Sequence, residues 1–171
     1  PRANYAITAT DTGYRVSDKT AADGTDILAS VERLQFSDKS VAIDISGNAG
    51  EVYRLYQAAF NRTPDAAGLS YWINYMDHGN TLTQVAGGFT GSNEFANLYG
   101  ANASTAQFVT RLYSNVLHRA PEQAGYDWWV NSISTGAWTR EQALAGFSES
   151  TENQANVIGV IGNGIEYTPY A

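Results

Sequence analysis

The chain has 171 residues, with 17 acidic against 10 basic side chains, a net charge of −7, and no cysteine. That length is enough for one hydrophobic core, or for a core with a small satellite. Its only lysines are Lys19 and Lys39. A surface this acidic argues against a nucleic-acid backbone or an anionic membrane as partner, because both need clustered Lys and Arg. Without cysteine there are no disulfides, zinc-thiolate sites or thiol nucleophiles. The chain opens at Pro1 with no initiator Met and no apolar leader, and it reads as a piece of a longer protein.

Residues 1–46 read as β. Asn4 to Thr10 alternates apolar and polar at period two. Asp11-Thr12-Gly13 is a turn signal, and Tyr14 to Ser17 is a second short strand. A further turn spans Ala22 to Asp26. Ile27-Leu28, Val31 and Leu34-Gln35-Phe36 supply more apolar residues. Ser37-Asp38-Lys39 then turns into Val41 to Ile45. There is too little sequence here for a closed barrel.

Residues 46–50 mark a junction, after which the apolar period lengthens to that of a helix. Val52, Leu55, Tyr56, Ala59 and Phe60 share one helical face. Thr63-Pro64-Asp65 opens a second helix, with Thr63 as its cap and Pro64 in its first position. Leu69, Trp72, Ile73 and Met76 form its apolar stripe, and Gly79 ends it. Thr81 and Gln84 make a capping box, and Ser92 caps a further helix with Glu94 in its first turn.

The same phrase then returns. Leu55 matches Leu112, Tyr56 matches Tyr113, Arg62 matches Arg119 and Pro64 matches Pro121. Asp65 matches Glu122, Gly68 matches Gly125 and Trp72 matches Trp129. The register slips by one residue near Ala137. It holds again at Gln84 and Gln142, Gly88 and Gly146, Phe89 and Phe147, and Ser92 and Ser150. One supersecondary unit is therefore used twice, at about residues 50–100 and 105–160. The tail from Gly159 to Ala171 is glycine-broken and aromatic, and reads as an extended segment lying beside the N-terminal strands.

The phrase L-Y-x-x-x-F-x-R-x-P-D-x-x-G-L-x-Y-W, followed by a glycine-ended helix and G-F, resembles the domain-of-unknown-function 4214 family of bacteria. More loosely, it is similar to helical phycobilisome linker domains. The second copy departs from the phrase at Leu117, His118, Glu122 and Tyr126. Independently, Asp23 to Asp44 resembles the flanks of calcium repeats in RTX-type secreted proteins. Gly24-Thr25-Asp26-Ile27-Leu28 fits half of a calcium nonapeptide. These resemblances imply a mainly α fold, a two-repeat helical bundle over residues 47–171 docked to a short β-hairpin or β-roll-like piece over 1–46. They imply export through a type I route, an extracellular or cell-surface location, and a large secreted or surface-attached parent protein. Such parents carry their secretion signal at the C-terminus, which makes Ala171 a candidate end of the parent chain. The family supplies no catalytic residues.

Three groups of residues carry candidate chemistry. Arg62 with Asp65, and Arg119 with Glu122, could hold an anion. The plainer reading has each arginine tie two helix ends across a tight turn, because helix ends need such partners. Tyr71, Tyr75, Trp128 and Trp138, with Asn74 and Asn131 nearby, could form a glycan or partner surface. Sugars stack their C–H faces on aromatic rings and bond amides through their hydroxyls. The alternative is packing between the two repeats. Asp23, Asp26 and Asp38 could ligate Ca²⁺, which takes several oxygen ligands, or could serve as turn residues that cap their own backbone.

His78 and His118 occupy different parts of their repeats and lie beside no cysteine, so their spacing suggests no zinc site. The chain has no nucleophile elbow, phosphate loop or dinucleotide fingerprint. The expectation is a non-catalytic interaction module that attaches its parent protein to a partner surface or polysaccharide. The alternative is a calcium-linked folding and secretion cap on a β-roll, whose only partner is the rest of the parent chain.

Overall fold

The computed structural model describes residues 1–169. A short 3₁₀ turn, Arg2–Asn4, leads into five strands: β1 (Tyr5–Thr10), β2 (Gly13–Asp18), β3 (Thr25–Leu28), β4 (Arg33–Gln35) and β5 (Ser40–Ala42). Eight helices follow: α1 (Asn48–Phe60), α2 (Ala66–Asp77), α3 (Leu82–Thr90), α4 (Asn93–Tyr99), α5 (Thr105–Val116), α6 (Gln123–Ser134), α7 (Arg140–Ser148) and α8 (Thr151–Ile161). The sixth strand, β6 (Ile165–Tyr167), lies in the tail. The mainly α architecture with a small β segment is as the sequence predicts.

The strands form two antiparallel sheets, β1-β2-β3 and β4-β5-β6. The tail returns to the β segment, where Ile165 pairs with Ala42 and Tyr167 with Ser40. This makes β5 a central strand, buried along its whole length. Its neighbours in sequence serve two cores. Val41 and Ile43 join Ile7 in a small cluster with Tyr14, Val16, Leu28, Leu34 and Phe36. Ala42 and Ile45 join the main helical core. β5 is also shorter than the apolar run suggests. After Ala42 the backbone leaves the β6 ladder, and the Ile43 N–H donates to the Glu32 carbonyl.

The four-helix unit is built twice, α1 to α4 and α5 to α8. Three capping boxes start α3, α5 and α7, on Thr81 with Gln84, Ser104 with Gln107, and Thr139 with Gln142. Ser92 and Ser150 cap α4 and α8. The start of α2 differs from the sequence reading. Asp65, not Thr63, is the cap, and it accepts from the Gly68 N–H at 2.7 Å. The helix therefore starts after Pro64 instead of on it. In the second copy Glu122 takes the cap position without bonding the helix backbone. Its longer side chain turns to Arg119 instead.

The repeated arginines are ties, as the plainer reading holds, but their main partner is more distant in sequence. Arg62 makes two bonds to Glu94, at 2.6 and 3.1 Å, and approaches Asp65 at 3.5 Å. Arg119 makes two bonds to Glu152, at 2.7 and 2.9 Å, and pairs with Glu122. Each guanidinium also lies over the tyrosine of its own repeat, Tyr56 or Tyr113. The clasp joins the α1–α2 turn to the N-terminus of α4, and the α5–α6 turn to that of α8. There a carboxylate also meets the positive helix end.

The recurring glycines mark close approaches. A Cβ on Gly68 would overlap the Tyr56 hydroxyl, and one on Gly125 would lie 2.5 Å from the Tyr113 hydroxyl. α3 and α7, the equivalent helices of the two copies, pack against one another through Val85, Ala86, Ala143 and Leu144, all fully buried. The end of α3 meets the start of α7, where Thr90 bonds Glu141 at 3.2 Å. This pairing of equivalents joins the two repeats into one core.

Gly68→Ala is expected to lower stability by about 1–3 kcal/mol through overpacking. Tyr56→Phe in the same chain should recover part of that loss, because it deletes the colliding oxygen. Thermal melts of the single and double variants measure both effects.

The clasps also set an acid response. Bonds to arginine hold Glu94, Glu122 and Glu152 below their ordinary value of 4.5, and the Gly68 N–H holds Asp65 below its own. A carboxyl depressed by folding stabilises the fold above its unfolded pKa, and that contribution fades as pH falls through the folded value. The melting midpoint should therefore hold from neutral pH to about 4.5 and fall below it. Arg119→Met should flatten part of that fall.

Candidate functional site

Each repeat builds one aromatic cluster around its central tryptophan. In the first copy, Trp72 meets Tyr71 edge-on at 4.8 Å, Tyr75 at 5.5 Å and Phe89 at 5.3 Å. In the second, Trp129 meets Trp128 at 4.7 Å, Trp138 at 5.5 Å and Phe147 at 5.1 Å. The third ring has two different sources. Tyr75 comes from α2 itself, one helical turn beyond Trp72. Ser132 holds the matching position on α6, so Trp138 reaches in from the α6–α7 loop, where its backbone N–H donates to the Ser132 carbonyl at 3.0 Å.

Beneath each cluster lies a repeated glycine. A Cβ on Gly88 would sit 2.5 Å from the Trp72 ring, and one on Gly146 would sit 3.4 Å from the Trp129 ring. Trp72 and Trp129 are half-buried and pack on the core.

The two clusters differ in what they show to solvent. Trp128 is 52% exposed and Trp138 37% exposed, with ring centroids 6.0 Å apart and planes at 64°. Asn131 is exposed on the same helix, three residues after Trp128. In the first copy Tyr71 is 42% exposed and stacks on Tyr75 at 6.3 Å. Tyr75 itself packs against the core, and Asn74 is half-buried. Of the six residues predicted to meet a glycan or partner, the structure therefore groups Trp128, Asn131 and Trp138 on one open face. Tyr71, Asn74 and Tyr75 belong to the first copy's cluster.

Asp23, Asp26 and Asp38 are all exposed. Asp23 accepts the Tyr5 hydroxyl, and Asp38 accepts the Arg2 N–H at 2.8 Å. Asp26 lies on β3, opposite Val16. The turn that joins β2 to β3 is organised by Asp18, which accepts from the Thr20, Ala22 and Asp23 N–H groups and from the Thr20 hydroxyl. These donors lower its carboxyl pKa to about 2. Among the described residues, no cluster of three or more His, Cys, Asp or Glu side chains is placed to hold a metal ion.

A second feature escapes the sequence reading. A cleft of about 520 Å³ lies between α1, α5 and α8. Its walls carry Gln57, Asn61, Thr63, Asn115, Asn153 and Asn156, and Val116 and Val157 line it as well. Asn61 and His118 occupy equivalent positions of the two repeats. Both have left-handed backbones, with φ of 49° and 53°. The sequence signal lies in the comparison of copies. Phe95, Leu98 and Tyr99 of α4 align with Asn153, Asn156 and Val157 of α8, and Ala58 aligns with Asn115.

No curated protein and no solved structure matches the chain. No helix among the described residues is long and apolar enough to cross a membrane. One family model, described as a domain of unknown function (DUF4214), matches residues 45–98 and 86–157. The two matches overlap at the α3–α4 region, and their joint span runs from the end of the β segment into α8. The doubled arginine clasp, the doubled tryptophan over glycine and this match to most of its length agree, and the chain belongs to the DUF4214 family.

Proposed function

We propose that this is a non-catalytic interaction module of a large secreted or surface-attached bacterial protein, and that it holds a glycan on the indole face of its second repeat. The observation that carries this reading is the exposure of Trp128 and Trp138 on a fixed support. Large rings are normally kept from solvent, and two of them open side by side on one face mark a contact surface. Trp129 and Phe147 back the pair, so little side-chain freedom is lost when a ligand stacks there. Asn131 supplies both a donor and an acceptor beside the rings. The net charge of −7 favours a neutral ligand over an anionic one.

A second reading has its own support. β3 is an edge strand that carries Asp26, and its Ile27 is 59% exposed. An open strand edge with an apolar residue is a template for further pairing. In this reading the β segment caps a calcium β-roll of the parent chain and binds no outside ligand.

Trp128→Ala and Trp138→Ala are each expected to weaken binding to a polysaccharide retained by the native chain by at least ~10-fold, with melting midpoints close to the native value. A glycan array finds the ligand, and titration followed by indole fluorescence measures the loss. Equal binding by both variants would remove the indole face from the reading.

The chain should melt at the same temperature in calcium and in EDTA. A clear rise in calcium would mean that an ion binds the folded state, and would favour the roll cap.

A further inference from the structure

We infer that the cleft between α1, α5 and α8 is a second binding site, built for one neutral sugar ring. It does not depend on the indole face.

The first argument is how the cleft arises. In the first copy, Phe95 and Tyr99 stack at 4.2 Å, both are buried, and the Tyr99 hydroxyl donates to the Ala58 carbonyl at 2.7 Å. These contacts help seat α4 on α1. In the second copy, Asn153 stands for Phe95, Val157 for Tyr99 and Asn115 for Ala58. Two aromatic rings are missing from the joint, and α8 makes closer contact with α1 and α7 than with α5. Space that the first copy fills with rings is lined with amides in the second.

The second argument is the chemistry of the lining. Filling lost volume with apolar groups would restore packing, whereas buried amides demand partners. Asn153 is 3% exposed and donates to the Ser148 carbonyl at 2.8 Å. Gln57 Oε1 is buried and accepts no hydrogen bond. The Asn115 amide nitrogen is buried and makes no hydrogen bond. Gln57 lines the cleft, and a buried acceptor without a partner there calls for one.

Charge and shape then select the ligand. The one arginine on the wall, Arg62, is already held by Glu94 and by the Thr63 carbonyl, so it offers little to an anion. Amides donate and accept at once, which matches hydroxyl groups that do the same. Val116 and Val157 supply the apolar part of the lining. The volume lies within the range of small-molecule pockets.

The test is amide NMR of the whole chain titrated with glucose, galactose, mannose and N-acetylglucosamine at millimolar concentrations. At least one sugar should shift the side-chain NH₂ signals of Gln57, Asn115, Asn153 or Asn156 saturably. Asn156→Ala, an exposed change that spares the core, should weaken that binding by about 10-fold. Asn153→Phe with Val157→Tyr should abolish it by restoring the first copy's rings. Maltotriose beside glucose, or the N-acetylglucosamine trimer beside its monomer, tells a chain end from a free sugar: a tighter trimer means the former, equal affinity the latter. The indole N–H signals of Trp128 and Trp138 report the other face separately. No shift at the cleft amides with any of the four sugars, or shifts confined to the indoles, would overturn the inference.

Discussion

Arg54 is the group that the rest of the structure closes around. It is 4% exposed and carries a full charge. Its Nη1 donates to the Ile45 carbonyl at 2.7 Å, where the β segment ends. Its Nε and Nη2 bond Glu149, which caps the end of α7 in the second repeat. One side chain therefore joins the β segment, the first repeat and the second. A buried charge is tolerated only where its partners are complete, since an uncompensated one costs several kcal/mol. Gly50 makes room for this arrangement, because a Cβ there would collide with the Ile45 backbone and crowd the Arg54 guanidinium. Arg111 stands at the matching place in the second copy and bonds the Tyr99 carbonyl instead. The hub therefore belongs to the whole chain and is not a property of the repeat.

Around that hub, the repeat reuses a small set of physical solutions. A tyrosine of the first helix in each copy takes the place of a Cβ on the glycine of the next helix. Trp72 does the same on Gly88 of the third helix, while Trp129 leaves Gly146 room for ordinary contact. An arginine then clasps a glutamate about 32 residues away, and lies over the same tyrosine. The Gly68, Gly125 and Gly88 joints pair an absence, the missing Cβ, with a large ring. Each therefore resists substitution from both sides, because either partner alone leaves a clash or a cavity. Burial pushes the Tyr56 hydroxyl pKa up to about 12, as expected for a phenol enclosed in such a joint.

Local chemistry was the legible part of this fold. Two of the capping boxes and the serine caps of α4 and α8 lie where the residue types place them, because a cap depends on three or four neighbours. What depends on distant pairing was not legible. Nothing local links Arg62 to Glu94. The tail's place beside the β segment was legible, but Gly159 to Ile161 stay in α8 and the tail becomes extended only after them, and Tyr170 and Ala171 lie outside the described residues. Nothing local shows that Trp138 from a loop does the work of Tyr75 on a helix. The start of α2 was read two residues too early because Asp65, itself a strong cap, competes with Thr63. Asp18 was overlooked among the aspartates because its role is to gather donors from a turn whose path the sequence does not fix. Of the candidate site, Trp128 and Trp138 were singled out by residue type alone, as rings suited to a contact surface. The amide cleft was hidden, because its residues come from three helices.

The two copies do not contribute equally, and the reason is physical. A repeat that packs against its own equivalent shares its core, and α1, α3 and α7 all pack on one another. Once that shared core is in place, the outer helices α4 and α8 no longer need to be alike. α4 keeps its aromatic residues and closes over α1. α8 keeps its serine cap and its glutamate clasp, so its start stays fixed, but it loses the rings that would seal it to α5. The second copy is also where Trp128 and Trp138 stand open. The two copies therefore differ at two separate places while both keep the arginine clasp and the tyrosine–glycine joint. A joint closed by rings in one copy and lined by amides in the other therefore sits on a common framework that either arrangement leaves in place.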